Sequence, residues 1–137
     1  MLSAKDIATY ARQIVGETAN EVRLRNGVGR AYYAAYHYCQ QAANTYCDTF
    51  TKEEIDQLPN NQKTTHANLF LRLKTKCRDE DNKKNLKFMA DQASKMKDFR
   101  VTADYHLDKV INHDSFIRCL THLSEVETTL TALTPTK

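Results

Sequence analysis

The chain has 137 residues, with 20 Lys and Arg against 17 Asp and Glu and a formal net charge of +3. That length suits one domain able to bury a core without stapling disulfides, and the mild basic excess permits contact with nucleic acid without demanding it. With 3 Gly and 2 Pro there is little punctuation for a many-stranded fold, and every longer apolar stretch is broken by Lys, Arg or Asp, which argues against a membrane span.

Helical periodicity dominates from the start. Ser3 is a good N-cap for a first helix carrying Ile7, Tyr10, Ala11, Ile14 and Val15, with Gly16 near its end. A longer second helix is expected after Asn26-Gly27, running through Arg30–Cys39 to about Cys47. Segment 48–63, with Asp48, Pro59, Asn60 and Asn61, reads as a polar connection. Thr64 or Thr65 should cap a third helix holding Leu69, Phe70 and Leu73. Asp81 and Asn82 open a fourth with Leu86, Met89, Ala90, Ala93 and Met96 in register. After an interruption between Asp98 and Asn112, Asp114 should cap a last helix with Phe116, Ile117, Leu120, Leu123, Val126 and Leu130. Pro135 cannot continue it. The expectation is an all-α, four- to five-helix up-and-down bundle forming a single domain over 1–137, ordered at about 3–132.

The polar opening Met1–Asp6 lacks the apolar core of a signal peptide, so a cytoplasmic protein with no membrane partner is expected. Cys39, Cys47, Cys77 and Cys119 show no CxxC pair and no zinc-finger spacing, and are read as reduced packing thiols. No Asp/Glu/His cluster suggests a metal, and no cofactor is called for.

Two stretches carry chemistry. Four tyrosines fall within Arg30–Cys39, and on a helix Arg30, Tyr33 and His37 line one face, with Arg30 and His37 roughly 10 Å apart along the axis. Tyr32 and Tyr36 form a second stripe suited to packing with satisfied hydroxyls, and Ala31, Ala34 and Ala35 allow close helix approach. The second stretch, Arg100–His106, combines a guanidinium, the Asp104 carboxylate, the Tyr105 phenol and an imidazole. Arg100 and Asp104 pair at i,i+4. His106 points about 120° from Arg100 on a regular helix, so those two converge only through irregular backbone or a partner chain. A plain surface pair for Arg30 and His37, and an Arg100–Asp104 pair with His106 merely exposed, remain open beside the site readings. His66 reads as structural, His113 as a turn residue, and His122 as part of a solvated face. The basic run Lys74, Lys76, Arg78, Lys83, Lys84 and Lys87, interleaved with Asp79, Glu80 and Asp81, reads as a solvated surface rather than an RNA track.

Arg30-Ala31-Tyr32-Tyr33-Ala34-Ala35-Tyr36-His37, preceded by Arg23 and Arg25, resembles the SRAYYAAFH signature of HEPN proteins, with Gly29 in place of Ser and Tyr36 in place of Phe. Thr65-His66 with Leu69, Leu71 and Leu73 is similar to that family's histidine-led third helix, and Arg100, Ala103, Asp104 and Tyr105 match its RxxADY segment. The resemblance implies a helical domain that cleaves RNA without a metal, through an Arg-x4–6-His motif paired across a homodimer, in toxin–antitoxin or phage-defence settings. On this chain the implied catalytic residues are Arg100, His106 and Asp104, with Tyr105, Arg30, Tyr33 and His37 binding substrate. The alternatives it leaves open are a non-catalytic module that binds a nucleotide or a partner protein, such as an antitoxin or a minimal nucleotidyltransferase, and a plain interaction scaffold.

Overall fold

A computed structural model describes residues 2–13 and 20–134. Six α-helices account for most of these residues: α1 (Ala4–Gln13), α2 (Glu21–Tyr46), α3 (Lys52–Gln57), α4 (Thr65–Thr75), α5 (Lys83–Tyr105) and α6 (His113–Ala132), with 3-10 turns at Asn60–Gln62 and Glu80–Asn82. Among the described residues the only β pairing is an isolated bridge between Cys47 and Cys77. The expected all-α bundle is what the chain forms. Ile14, Val15, Gly16 and Pro135 lie outside the described residues.

Side-chain caps set most of the helix starts. The Ser3 hydroxyl accepts from Asp6 N at 3.1 Å while the Asp6 carboxylate accepts from Ser3 N, as expected of α1. Thr64 caps α4 by accepting from Ala67 N. Segment 48–63 is more structured than a polar connection, because Thr51 and Glu54 close a reciprocal capping box that starts α3. Two expected boundaries move, and a third holds without its expected cap. α2 is capped by Asn20, whose side chain accepts from Arg23 N at 3.0 Å, so Asn26 and Gly27 lie inside the helix rather than ahead of it. α6 is capped by Asn112, which accepts from Ser115 N at 2.8 Å, leaving His113 and Asp114 in its first turn, where Asp114 complements the helix dipole. Asn82 does not open α5 by capping it. It is fully buried, and its amide exchanges two 2.9 Å bonds with the Thr134 backbone, fastening the chain beyond α6 to the base of α5.

Cross-contacts give the helix directions. Arg25 near the start of α2 meets the end of α5, and Asn82 at the start of α5 meets the end of α6, so α5 runs opposite to both. Tyr32 meets His66 at the start of α4, and Ala43 meets Arg72 near its end, so α4 runs with α2. Two parallel neighbours need a return segment, which is why residues 48–63 double back and hold α3. The core they enclose is one cluster. Tyr32, Leu73, Leu86, Met89, Met96, Phe116, Leu123 and Val126 are essentially inaccessible, each contributing about 1.5–3 kcal/mol by burial. Ala31, Ala34 and Ala35 are fully buried and let α2 lie close to its neighbours. Ile117, placed by periodicity among the core positions of the last helix, is 45% exposed.

Gly27 is explained by packing rather than by a turn. A Cβ there would sit 2.5 Å from Cε2 of Phe116, whereas one on Gly29 would meet only Asp104 Oδ1 at 3.8 Å. The two glycines should respond oppositely to alanine. Gly29→Ala gains helix propensity and should stabilise by about 0.5–1 kcal/mol, while Gly27→Ala overpacks Phe116 and should lose about 1 kcal/mol or more net of that same gain. Urea midpoints of the two variants check the opposite signs.

Candidate functional site

Neither α2 nor α5 carries a basic residue in its last turn, so both long helices end on carbonyls that need donors from elsewhere. Arg72 of α4 supplies them for α2, donating to Ala43 O, Cys47 O and Asp48 O and to the Asn44 side chain. Arg25 of α2 supplies them for α5. Its guanidinium donates to Thr102 O at 3.1 Å, Ala103 O at 2.8 Å and His106 O at 3.4 Å, and also to Lys109 O. Glu21 pairs with Arg25 at 2.8 Å and accepts from Ile111 N at 3.5 Å. One side chain, 11% exposed, thereby sets the last turn of α5 and the 106–109 turn beyond it against the first turns of α2.

Above that clamp lies a cleft of about 310 Å³, lined by Arg25, Asn26, Gly29, Arg30, Tyr32, Tyr33, His66, Arg100 and Asp104. Its walls are α2 and α5, and His66 enters from the first turn of α4. The Nε of Arg100 is held by Asp104 at 2.9 Å, the i,i+4 pair expected from spacing, and this leaves the terminal nitrogens of Arg100 with donors to spare. Gly29 faces Asp104, whose Oδ1 lies 3.8 Å from where a Cβ would stand. Arg30 is exposed and has no ion-pair partner among the described residues. Tyr33, 45% exposed, stands beside it.

His66 is held by aromatic rings. Its Nδ1 is hydrogen-bonded to the Tyr32 hydroxyl, and its ring stacks on Tyr36 with centroids 4.5 Å apart. Burial lowers its pKa from the usual 6.5, and the positive charges of Lys97 and Arg100 lower it further, so the imidazole is neutral at physiological pH. Burial also raises the Tyr32 pKa, keeping that hydroxyl protonated. The result is a neutral imidazole, oriented through Nδ1, with Nε2 as its free ring nitrogen.

The residues singled out in the sequence divide between the cleft and its surroundings. Arg100, Asp104, Arg30 and Tyr33 are together in the cleft. His37 is not among its lining residues; its ring lies edge-on to Tyr33 at 4.4 Å. Tyr105 is 66% exposed, with Arg100 over its ring at 5.2 Å and their polar atoms 3.5 Å apart. His106 is the C-cap of α5 (φ −116°, ψ 70°); the backbone is irregular there, yet the exposed imidazole stays outside the cleft lining. His66 and Arg25 carry more of the geometry than their sequence context suggested. The signals for both were weak: a histidine following a helix cap, and an arginine four residues after a glutamate. His122, read as solvated, is half-buried and bonded to Gln92 Oε1 at 2.6 Å. In the basic run Lys74, Lys76, Arg78 and Lys83 pair with Asp91, Glu54, Asp48 and Glu80, which fits a solvated surface. Among the described residues no group of three or more His, Cys, Asp or Glu is placed to hold a metal ion, and no helix is long and apolar enough to cross a membrane.

Two expected outcomes follow from this geometry. Arg25→Ala orphans the α5 carbonyls and should cost about 2–4 kcal/mol in urea unfolding, with Arg25→Lys recovering only part, since an ammonium cannot span the same set of acceptors. The depressed pKa values of His66 and His122 mean that, below pH 6.5, the unfolded chain takes up protons the folded one does not. Their contribution is therefore complete above 6.5 and lost as pH falls toward the depressed values, so stability should rise with pH through that window. His66→Asn should flatten the slope measured between about pH 5 and pH 7.5. No family model, no curated protein and no solved structure matches this chain, and the functional reading rests on the cleft and on the motifs that line it.

Proposed function

We propose that the cleft receives a phosphodiester of RNA and that the protein is a metal-independent endoribonuclease of the HEPN kind. The observation that carries this reading is the convergence of Arg30, Arg100, Tyr33 and a neutral, oriented His66 on one opening of about 310 Å³. Guanidiniums are the side chains best matched to phosphate oxygens, and Arg100 is held side-on by Asp104 with its terminal donors available. In the proposed reaction a ribose 2′-hydroxyl attacks the neighbouring phosphorus, the 5′-oxygen leaves, and a 2′,3′-cyclic phosphate forms. Nε2 of His66 takes the 2′-hydroxyl proton while its Nδ1–H donates to the Tyr32 hydroxyl, and the departing 5′-oxygen takes a proton from water. Arg100 and Arg30 stabilise the charge that grows on the phosphoryl oxygens. Tyr33 offers a face on which a base can stack.

The family motif would instead place the proton transfer on His106. That arrangement needs a homodimer, in which His106 of a second copy reaches the cleft. Exposed Tyr105, Leu107 and Val110 around His106 give such a dimer an apolar contact. The separation of His106 from the cleft within one chain also favours a second reading, a non-catalytic module that binds a nucleotide phosphate for an antitoxin or nucleotidyltransferase partner.

The test is incubation of the purified protein with a mixed RNA pool in EDTA. Wild type should cleave to 2′,3′-cyclic ends, Arg100→Ala should lose about 10²–10³-fold, and His66→Ala should lose about 10²–10⁴-fold. Loss in His106→Ala with His66→Ala active assigns the proton transfer to the dimeric arrangement. A folded wild type that leaves RNA intact, yet is stabilised by mononucleotide in an Arg100-dependent way, replaces the nuclease reading with the binding module.

A further inference from the structure

Among the described residues, the single β bridge joins two cysteines. Asp48 N donates to Lys76 O at 2.9 Å and Arg78 N donates to Tyr46 O at 3.0 Å, so Cys47 and Cys77 lie directly opposite each other inside the wide ring of an antiparallel ladder. Residues in that non-hydrogen-bonded position have Cα atoms about 4.5 Å apart and side chains on the same face. A disulfide accepts Cα separations of about 4.4–6.8 Å, so the backbone already meets its requirement. Both thiols are free here: Cys47 is 3% exposed, and half-buried Cys77 donates to Asp79 O at 3.0 Å. The other two cysteines have no such arrangement. Cys39 and Cys119 are fully buried, each on the inner face of a long helix.

We propose that Cys47 and Cys77 form an intramolecular disulfide site, closed by exchange with a small-molecule disulfide of the glutathione class. The more accessible Cys77 reacts first. Its thiolate attacks one sulfur of the reagent, the reagent's S–S bond breaks, and one thiol leaves with the proton Cys77 gave up. Cys47 then loses its proton and attacks the Cys77 sulfur, expelling the second reagent thiol. Two protein thiols are oxidised and one disulfide is reduced to two thiols, so electrons and protons balance. Burial holds the Cys47 thiol up at about 11, while the Arg72 and Arg78 guanidiniums favour its thiolate for the second step. The closed bond encloses residues 48–76, and with them α3 and α4. It reinforces the attachment of α4 to the end of α2 that Arg72 makes in the reduced protein. The proposal is independent of the nuclease reading, since it concerns the end of α4 away from His66.

The full-length protein is incubated under native conditions with glutathione disulfide and then digested without reduction. A peptide pair linked through Cys47 and Cys77 is expected, together with a rise in Tm of about 10 °C that a phosphine reductant reverses. Cys77→Ser should show no link and no oxidant-dependent rise, while its Tm under reducing conditions stays at the wild-type value. The proposal fails if Cys77 stops at a glutathione adduct, if either cysteine pairs elsewhere, if no thiol is consumed, or if closure lowers Tm. Mapping of the wild type decides the question even if the variant does not fold.

Discussion

A helix that ends inside a bundle must find donors for its last carbonyls, and in this protein they come from an arginine on a different helix. Arg25 ends α5 and Arg72 ends α2. Each guanidinium reaches three or more acceptors in a fixed fork, so each does more than cap. It sets one helix against another to within hydrogen-bond tolerance. The Arg25 clamp is the one on which the candidate site depends. The turn of α5 that it grips, at Thr102 and Ala103, lies between Arg100 on one side and Asp104, Tyr105 and His106 on the other. Without the clamp, the α5 wall of the cleft would have no fixed register against Arg30 and Tyr33.

The fold was largely legible because the apolar positions of α4, α5 and α6 recur at helical spacing and few other elements compete. What misled was punctuation. Asn26-Gly27 has the composition of a turn, but Gly27 is there because the Phe116 ring occupies the place of its Cβ, a fact created by a residue 89 positions away. Asp114 looked like the better cap, but Asn112 reaches both the amide and the hydroxyl of Ser115, and Asp114 suits the first turn as well as it would suit the cap. The same limit applies to the site. Arg100 with Asp104 was readable because both lie on one helix. The Tyr32–His66 pair joins two helices 34 residues apart and has no local signature. His66 and His122 were read as structural or exposed because burial is a property of the neighbours, and the neighbours are distant in sequence.

His66 and His122, both half-buried, also show how similar groups are put to different uses. His122 bonds to Gln92 between α5 and α6, within a closed contact where its neutral form completes the packing. Burial lowers the His66 pKa as well, and it too has a hydrogen-bond partner, but it stands on a wall of open space with Arg30, Arg100 and Lys97 around it. Cations that disfavour a second positive charge on the imidazole are the same cations that favour an anion beside it. A bound phosphate would offset their effect on His66, raising its proton affinity as the ligand arrives. Ligand and proton are therefore linked at this site in a way that they are not at His122.

The position of the cleft follows from helix length. α2 and α5 have 26 and 23 residues, while α4, packed against both, has 11. At 1.5 Å per residue α4 covers about 16 Å, less than half of the length of α2. Its C-terminal end is anchored level with the end of α2 by Arg72, so the shortfall appears entirely at its N-terminal end. There the facing surfaces of α2 and α5 continue without cover, and they bear Arg30, Tyr33, Arg100 and Asp104 where an uninterrupted bundle would bear apolar residues. The positive end of the α4 dipole lies at the same level, near His66, and adds to the preference for an anion. A longer α4 would extend the core across the opening and remove the cleft. The short helix and the doubled-back segment before it are thus as much a part of the site as the side chains that line it.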